Sequence, residues 1–92
     1  MSHVTVIAEL GSAHDLQLGW AVMMMAQAAA AGADAVKVQY WSDAQQLARQ
    51  RHLGPEAADL YRRYQMPGDW LPALVEEARR QQMEFLCSTY LA

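Results

Sequence analysis

"GADAVKVQYW", residues 32–41, decides how this chain folds. Its apolar, β-branched middle reads as a buried strand, yet alternate positions carry Lys37 and Gln39, side chains that a buried strand normally excludes. Residues two apart in a strand share a face, so Lys37 and Gln39 project together while Val36 and Val38 point the other way, toward covering helices. One face of this strand is for packing and the other is for something polar.

Upstream, "HVTVIAEL" (residues 3–10) is β-branched and apolar for most of its length and ends at Gly11, which suits a first buried strand with Glu9 at its C-terminal end. After the turn "GSAHD", Asp15 is expected to cap a helix running to about residue 31, with Gly32 where a left-handed cap belongs. Trp20, Ala21, Met24, Met25, Ala28 and Ala31 form one apolar face of that helix and are expected on the sheet. The opposite side, with Val22, Met23, Ala26, Ala29 and Ala30, is apolar too, which implies a further neighbour or a partner subunit.

Downstream, "SDAQ" (residues 42–45) has capping-box form ahead of a short helix, and Pro55 opens another in which Asp59 precedes Arg62 and Arg63. "MPGD" breaks the chain. Asp69 is then expected to cap a helix with Leu71, Leu74, Val75 and Ala78 inward, Pro72 in its first turn and an outward Glu76–Arg80 pair. "MEFLCSTYLA" (residues 83–92) closes as a third strand-like run. Strands separated by helical crossovers argue for an α/β fold with a parallel sheet. The alternation stops in mid-unit, so the chain looks cut short.

The same two-residue arithmetic puts Thr5, Ile7 and Glu9 on one face of the first strand and Leu86, Ser88 and Tyr90 on one face of the third. Each strand grows more polar toward its C-terminal end, where parallel α/β folds bind ligands. A carboxylate, an ammonium, an amide, a hydroxyl and a phenol at one rim suit a small polar anion, with lysine supplying three donors and a positive charge. The competing structural role is a buried Glu9–Lys37 pair that only organises the sheet.

Composition narrows the partners. The chain has 92 residues and a formal charge of −3, and its seven basic residues, Lys37 the only lysine among them, are scattered. Neither nucleic acid nor an anionic membrane has electrostatic support. The apolar run 21–31 is too short for a membrane span, and a lone Cys87 with no leader points to a cytoplasmic setting. No GxGxxG or GxxxxGK[ST] element marks a nucleotide site.

Three segments add a resemblance. "IAELGSAHD" (residues 7–15), "AAAAGADAVKVQYW" (28–41) and "EFLCSTY" (84–90) together resemble the start of the sialic acid synthase family, which comprises N-acetylneuraminate synthase and its spore-coat relatives. The resemblance implies that residues 1–92 are the N-terminal part of a TIM (β/α)8 barrel, its first three strands, incomplete as given and without the antifreeze-like domain that usually follows. It also implies a transferase reaction. Carbon 3 of phosphoenolpyruvate attacks the open-chain aldehyde of an N-acetylated amino sugar such as N-acetylmannosamine; water then adds at carbon 2 and phosphate leaves, giving a nonulosonic acid.

By position the resemblance assigns Lys37 and Ser88 to phosphoenolpyruvate, Gln39 to the acceptor sugar, and Glu9 to binding or proton handling near the reacting carbons. Tyr90 falls on a family phenylalanine and His14 in the loop above the rim, where it could touch substrate. A divalent metal, Mn or Mg, is expected to polarise the aldehyde, with histidine ligands on later strands beyond this sequence. Thr89 stands where the family has proline, Cys87 where it has serine, and "AHDL" where it has "NHNG", so the acceptor is open. Cys87 is expected buried and inert, and Tyr40 and Trp41 to pack the next helix in preference to walling the sugar site.

A closed eight-stranded barrel needs about 200 residues or more, so the 92 here are expected to lack synthase activity alone and to fold marginally or self-associate, with a homodimer or a complementing barrel fragment as candidate partners. The alternative from another class is a non-catalytic remnant or interaction module using the apolar first helix.

Overall fold

A computed structural model describes residues 3–90. Three strands, β1 (Ile7–Gly11), β2 (Ala35–Tyr40) and β3 (Glu84–Thr89), lie in the order β1-β2-β3, and both pairings are parallel. Helix α1 (Leu18–Ala30) connects the first two. Between β2 and β3 the chain makes a two-helix excursion, α2 (Ala44–Gln50) and α3 (Pro55–Arg63), before α4 (Leu71–Arg80). Sequential strand order with every crossover helical is the arrangement a βα barrel requires.

One face of the sheet is covered. Val36 and Val38 of β2 are buried against Ala21 and Met25 of α1, Leu74 and Ala78 of α4, and Met66 and Met83 at the joints, with Leu10, Phe85 and Cys87 packed around them. The alternation read from the sequence therefore holds: valines toward the helices, Lys37 and Gln39 away from them. Helix α1 ends in a Schellman motif, with Gly32 N–H on the Ala29 carbonyl and Ala33 N–H on that of Ala28. Gly32 takes φ +98°, as expected for that position.

Several boundaries differ from the expectation. β1 starts at Ile7, not at residue 3. The preceding segment is held through Asp34, whose carboxylate accepts from the Val6 N–H at 2.8 Å and bonds His3 at 3.0 Å. Those two contacts hold the Asp34 carboxyl below the usual aspartate range. Near its other end β1 carries a bulge: Glu9 pairs with Lys37 but Gly11 with Val38, so Leu10 is skipped and Gly11 takes φ +56°.

Asp15 does not cap α1. It and Leu16 are left-handed, with φ 49° and 54°, and the helix begins only at Leu18, with Gln17 at the N-cap and no side-chain bond. The loop is longer because it folds over the His14 ring, which takes the Leu16 N–H. The buried face of α1 also differs from the expected one: Leu18, Ala21, Val22, Met25 and Ala29 turn inward, while Trp20 and Met23 are exposed.

Elsewhere the α2 cap is Asp43 rather than Ser42, its carboxylate accepting from the Gln46 N–H at 3.0 Å. Asp69 sits in a 3-10 turn (Gly68–Trp70) that leads into α4 without a side-chain cap. In α4 Val75 is exposed and Glu77 is buried, its carboxylate meeting Arg80 and the Gln81 amide. The outward pair is Glu76–Arg79, one residue closer than expected. No helix among the described residues is long and apolar enough to cross a membrane.

Candidate functional site

The uncovered face of the sheet carries the chemistry at its C-terminal rim. Register places Glu9 beside Lys37 and Lys37 beside Leu86, then Gln39 beside Ser88 one step further along. Lys37 Nζ stands 3.5 Å from Glu9 Oε2, with the two side chains 39% and 48% exposed. They form a pair open to water, not a sealed one. Lysine has three N–H donors, so with one facing Glu9 two remain for an incoming anion.

Gln39 is held by a residue that sequence reasoning missed. Ser12 Oγ, in the loop after β1, donates to Gln39 Oε1 at 3.2 Å. With its oxygen engaged, Gln39 presents its NH2 group, so it can donate to a ligand oxygen. The bulge contributes here: Gly11 brings the backbone to a point from which an added Cβ would lie 3.5 Å from Glu9 Oε1 and 3.8 Å from the Gln39 amide. A loop serine beside a strand glutamine leaves no periodic signal in sequence.

Tyr90 follows β3 and is tied to β2 by its N–H on the Tyr40 carbonyl. Its ring borders a cleft of about 240 Å³ whose other walls include Gln39, Trp41, Arg51, Tyr61 and Tyr64. Trp41 is buried against Ala44 and Leu47 of α2, so it packs the next helix as expected while also walling this cleft. Its indole N–H donates to the Tyr61 carbonyl at 3.0 Å. Tyr40 instead packs near Gly68, where a Cβ would come within 3.0 Å of its hydroxyl.

His14 is not brought to the cleft. Its ring is 2% exposed and lies edge-on to Trp70 at 5.3 Å, with Nδ1 accepting from the Leu16 N–H. Burial pulls its pKa below the ordinary histidine value, against a smaller opposite pull from Asp15, so it is a neutral anchor for the loop that carries Ser12. Cys87 faces the covered side, and burial raises its thiol pKa, which makes it a poor nucleophile. Among the described residues no group of three or more His, Cys, Asp or Glu side chains could hold a metal ion.

The profile of the NeuB family matches residues 24–92. The chain belongs to that family. It is 34% identical over 90 residues, 90% of its length, to the spore coat polysaccharide biosynthesis protein SpsE of Bacillus subtilis (strain 168). The crystal structure of that SpsE superposes with a TM-score of 0.69 over 94% of this chain, at 32% identity. The N-acetylneuraminic acid (sialic acid) synthetase of Leptospira borgpetersenii serovar Hardjo-bovis, solved in complex with citrate, superposes with a TM-score of 0.84 over 99% of the chain at 24% identity. That likeness shows the fold, the strand–helix order of a TIM-barrel-type synthase. The chain spans 24% of SpsE and 30% of the synthetase, less than a third of the length of either.

Proposed function

We propose that this NeuB-family segment forms the part of a synthase active site that holds phosphoenolpyruvate and orients an N-acetylated amino sugar, for condensation to a nonulosonic acid and phosphate. The observation that carries the reading is the pairing of Lys37 with Glu9 one step below Gln39 and Ser88 on a single uncovered face. Lys37 offers its two remaining donors and its charge to the phosphate or carboxylate oxygens. Ser88 adds a hydroxyl donor, Gln39 donates to the acceptor, and Glu9 stands where a proton can be taken or returned beside the reacting carbons. Tyr90 walls the acceptor side, and His14 positions the Ser12 loop from beneath. The remaining strands and the ligands for a divalent metal lie outside residues 1–92 in this reading, in a cytoplasmic enzyme.

A titration of the ¹⁵N-labelled chain with phosphoenolpyruvate tests this. Resonances of Lys37 and Ser88 are expected to shift together, and Lys37→Ala is expected to weaken binding about tenfold, the loss typical of a hydrogen bond to a charged group. Shifts that avoid both residues, or that survive in the variant, defeat the reading. A second reading, an interaction module built on α1, draws on the outward Trp20 and Met23. It predicts no response to phosphoenolpyruvate at Lys37.

A further inference from the structure

The outward side of α1 is unlike that of its neighbours. On α3 and α4 the solvent side carries ion pairs, Asp59 with Arg62 and Glu76 with Arg79. From Leu16 to Ala33 there is no charged residue at all. Leu16, Trp20 and Met23 are exposed instead, and Gln27 and Ala30 continue the exposed line. At 3.6 residues per turn, that line lies opposite Ala21, Met25 and Ala29, which face the core. In the outer ring of a βα barrel the neighbours of a helix stand at its flanks, so closing the barrel leaves this back uncovered.

The exposed residues follow a second pattern. Trp20, Met23, Gln27 and Ala30 are spaced by three, four and three, which are the a and d positions of a heptad seam. An ordinary surface helix has one apolar stripe, turned to its core; α1 has that stripe and this seam behind it. The seam matches itself when two copies run antiparallel about a twofold axis level with position 25. Trp20 of one copy then meets Ala30 of the other, large against small, and Met23 meets Gln27. The Gln27 amide both donates and accepts, so it can satisfy its own counterpart across the axis. A twofold contact brings each residue near the axis toward its own copy, where any charge would repel itself, and this seam holds none. A foreign partner of either sign would find no charge to be steered by.

We infer that the back of α1 docks a second copy of this chain, helix antiparallel to helix, with Trp20 as the anchor at each end of the seam. The helix has 13 residues and so is about 20 Å long. One such face offers less than the roughly 800 Å² per partner of a standard interface, so the dimer is a weak one, half-formed at about 0.1 mM. The inference rests on the outward face of α1 alone and holds whether or not Lys37 binds phosphoenolpyruvate, because Lys37 lies on the sheet face that α1 does not cover.

Charge placed on the seam tests this. Gln27→Glu and Gln27→Lys each set two like charges about 6 Å apart along the helix axis, inside a Debye length of about 8 Å. Sedimentation velocity is expected to show self-association weakened about tenfold in either variant alone and restored when the two are mixed. Circular dichroism checks that both remain folded, and recovery in the mixture is something a merely destabilised chain would not show. The tryptophans report the place: in the ¹⁵N-labelled chain the Trp20 indole resonance is expected to move with protein concentration while that of buried Trp41 stays fixed. Association that ignores both variants is pairing through open strand edges and overturns the inference, as does weakening without recovery in the mixture. A chain still monomeric at about 1 mM, with Trp20 unmoved, overturns it too and gives the face to a different protein or to another segment of the same one. None of these outcomes alters the response of Lys37 to phosphoenolpyruvate, so the two readings fail separately.

Discussion

Replacing Lys37 distinguishes a ligand-binding lysine from one that merely organises the sheet. Lys37 Nζ and Glu9 Oε2 are 3.5 Å apart, a separation at which two unit charges attract by about 1 kcal/mol in water and nearly 5 at an effective dielectric constant of 20. The exposures of 39% and 48% put the pair near the watery limit, where measured couplings are about 0.2–1 kcal/mol. Nor does Lys37→Met strand a buried charge, because Glu9 keeps its water; a sealed pair would instead lose about 3–5 kcal/mol on breaking. A double-mutant cycle of Lys37→Met and Glu9→Gln, followed by urea denaturation, should give a coupling below about 1 kcal/mol. The same Lys37→Met chain should bind phosphoenolpyruvate about tenfold more weakly. A coupling of about 3 kcal/mol with anion binding unchanged would refute the argument and make the pair a structural one.

Two further outcomes follow from the packing. Leu74 is fully buried and neighbouring Val75 is 39% exposed, so Leu74→Ala should cost about 3–4 kcal/mol and Val75→Ala under about 1 in chemical denaturation; equal losses would contradict the orientation of α4. Burial keeps the folded-state pKa of His14 below its unfolded value, so the unfolded chain binds the proton first and stability falls as pH drops from about 6.5 through the lowered value. Melting temperature measured from pH 8 to 4 should show that loss, His14→Gln should flatten it, and an unchanged profile in the variant would rule out His14 as its source.

How much of this could be read in advance depended on whether a signal was local. The division of β2 into Val36 and Val38 on one side and Lys37 and Gln39 on the other follows from a period of two, which no tertiary contact alters. Helix α1 was harder, because apolar residues surround it and its inward face is chosen by packing against the sheet and α4, which the spacing does not reveal. The β1 bulge was hidden too, since a glycine at a strand end is compatible with either a stop or a skipped residue. Glu9, Lys37, Gln39 and Ser88 were assigned from strand ends and motif, whereas Ser12, Arg51 and Tyr61 were not. Their roles depend on α2 and α3 folding back beside Tyr90, and nothing in the spacing of an arginine and three tyrosines announces such a return.

The excursion between β2 and α4 is bounded by two buried residues that belong to different clusters: Trp41 packs with Ala44 and Leu47 of α2, and Met66 packs with β2, α1 and α4. The segment between them is tied to the strand ends, where the Arg51 guanidinium lies over the Tyr90 ring and the Trp41 indole N–H donates to the Tyr61 carbonyl. Because the two clusters share no buried residue, truncating the aromatic one is expected to loosen α2 and α3 before it disturbs the packing of β2.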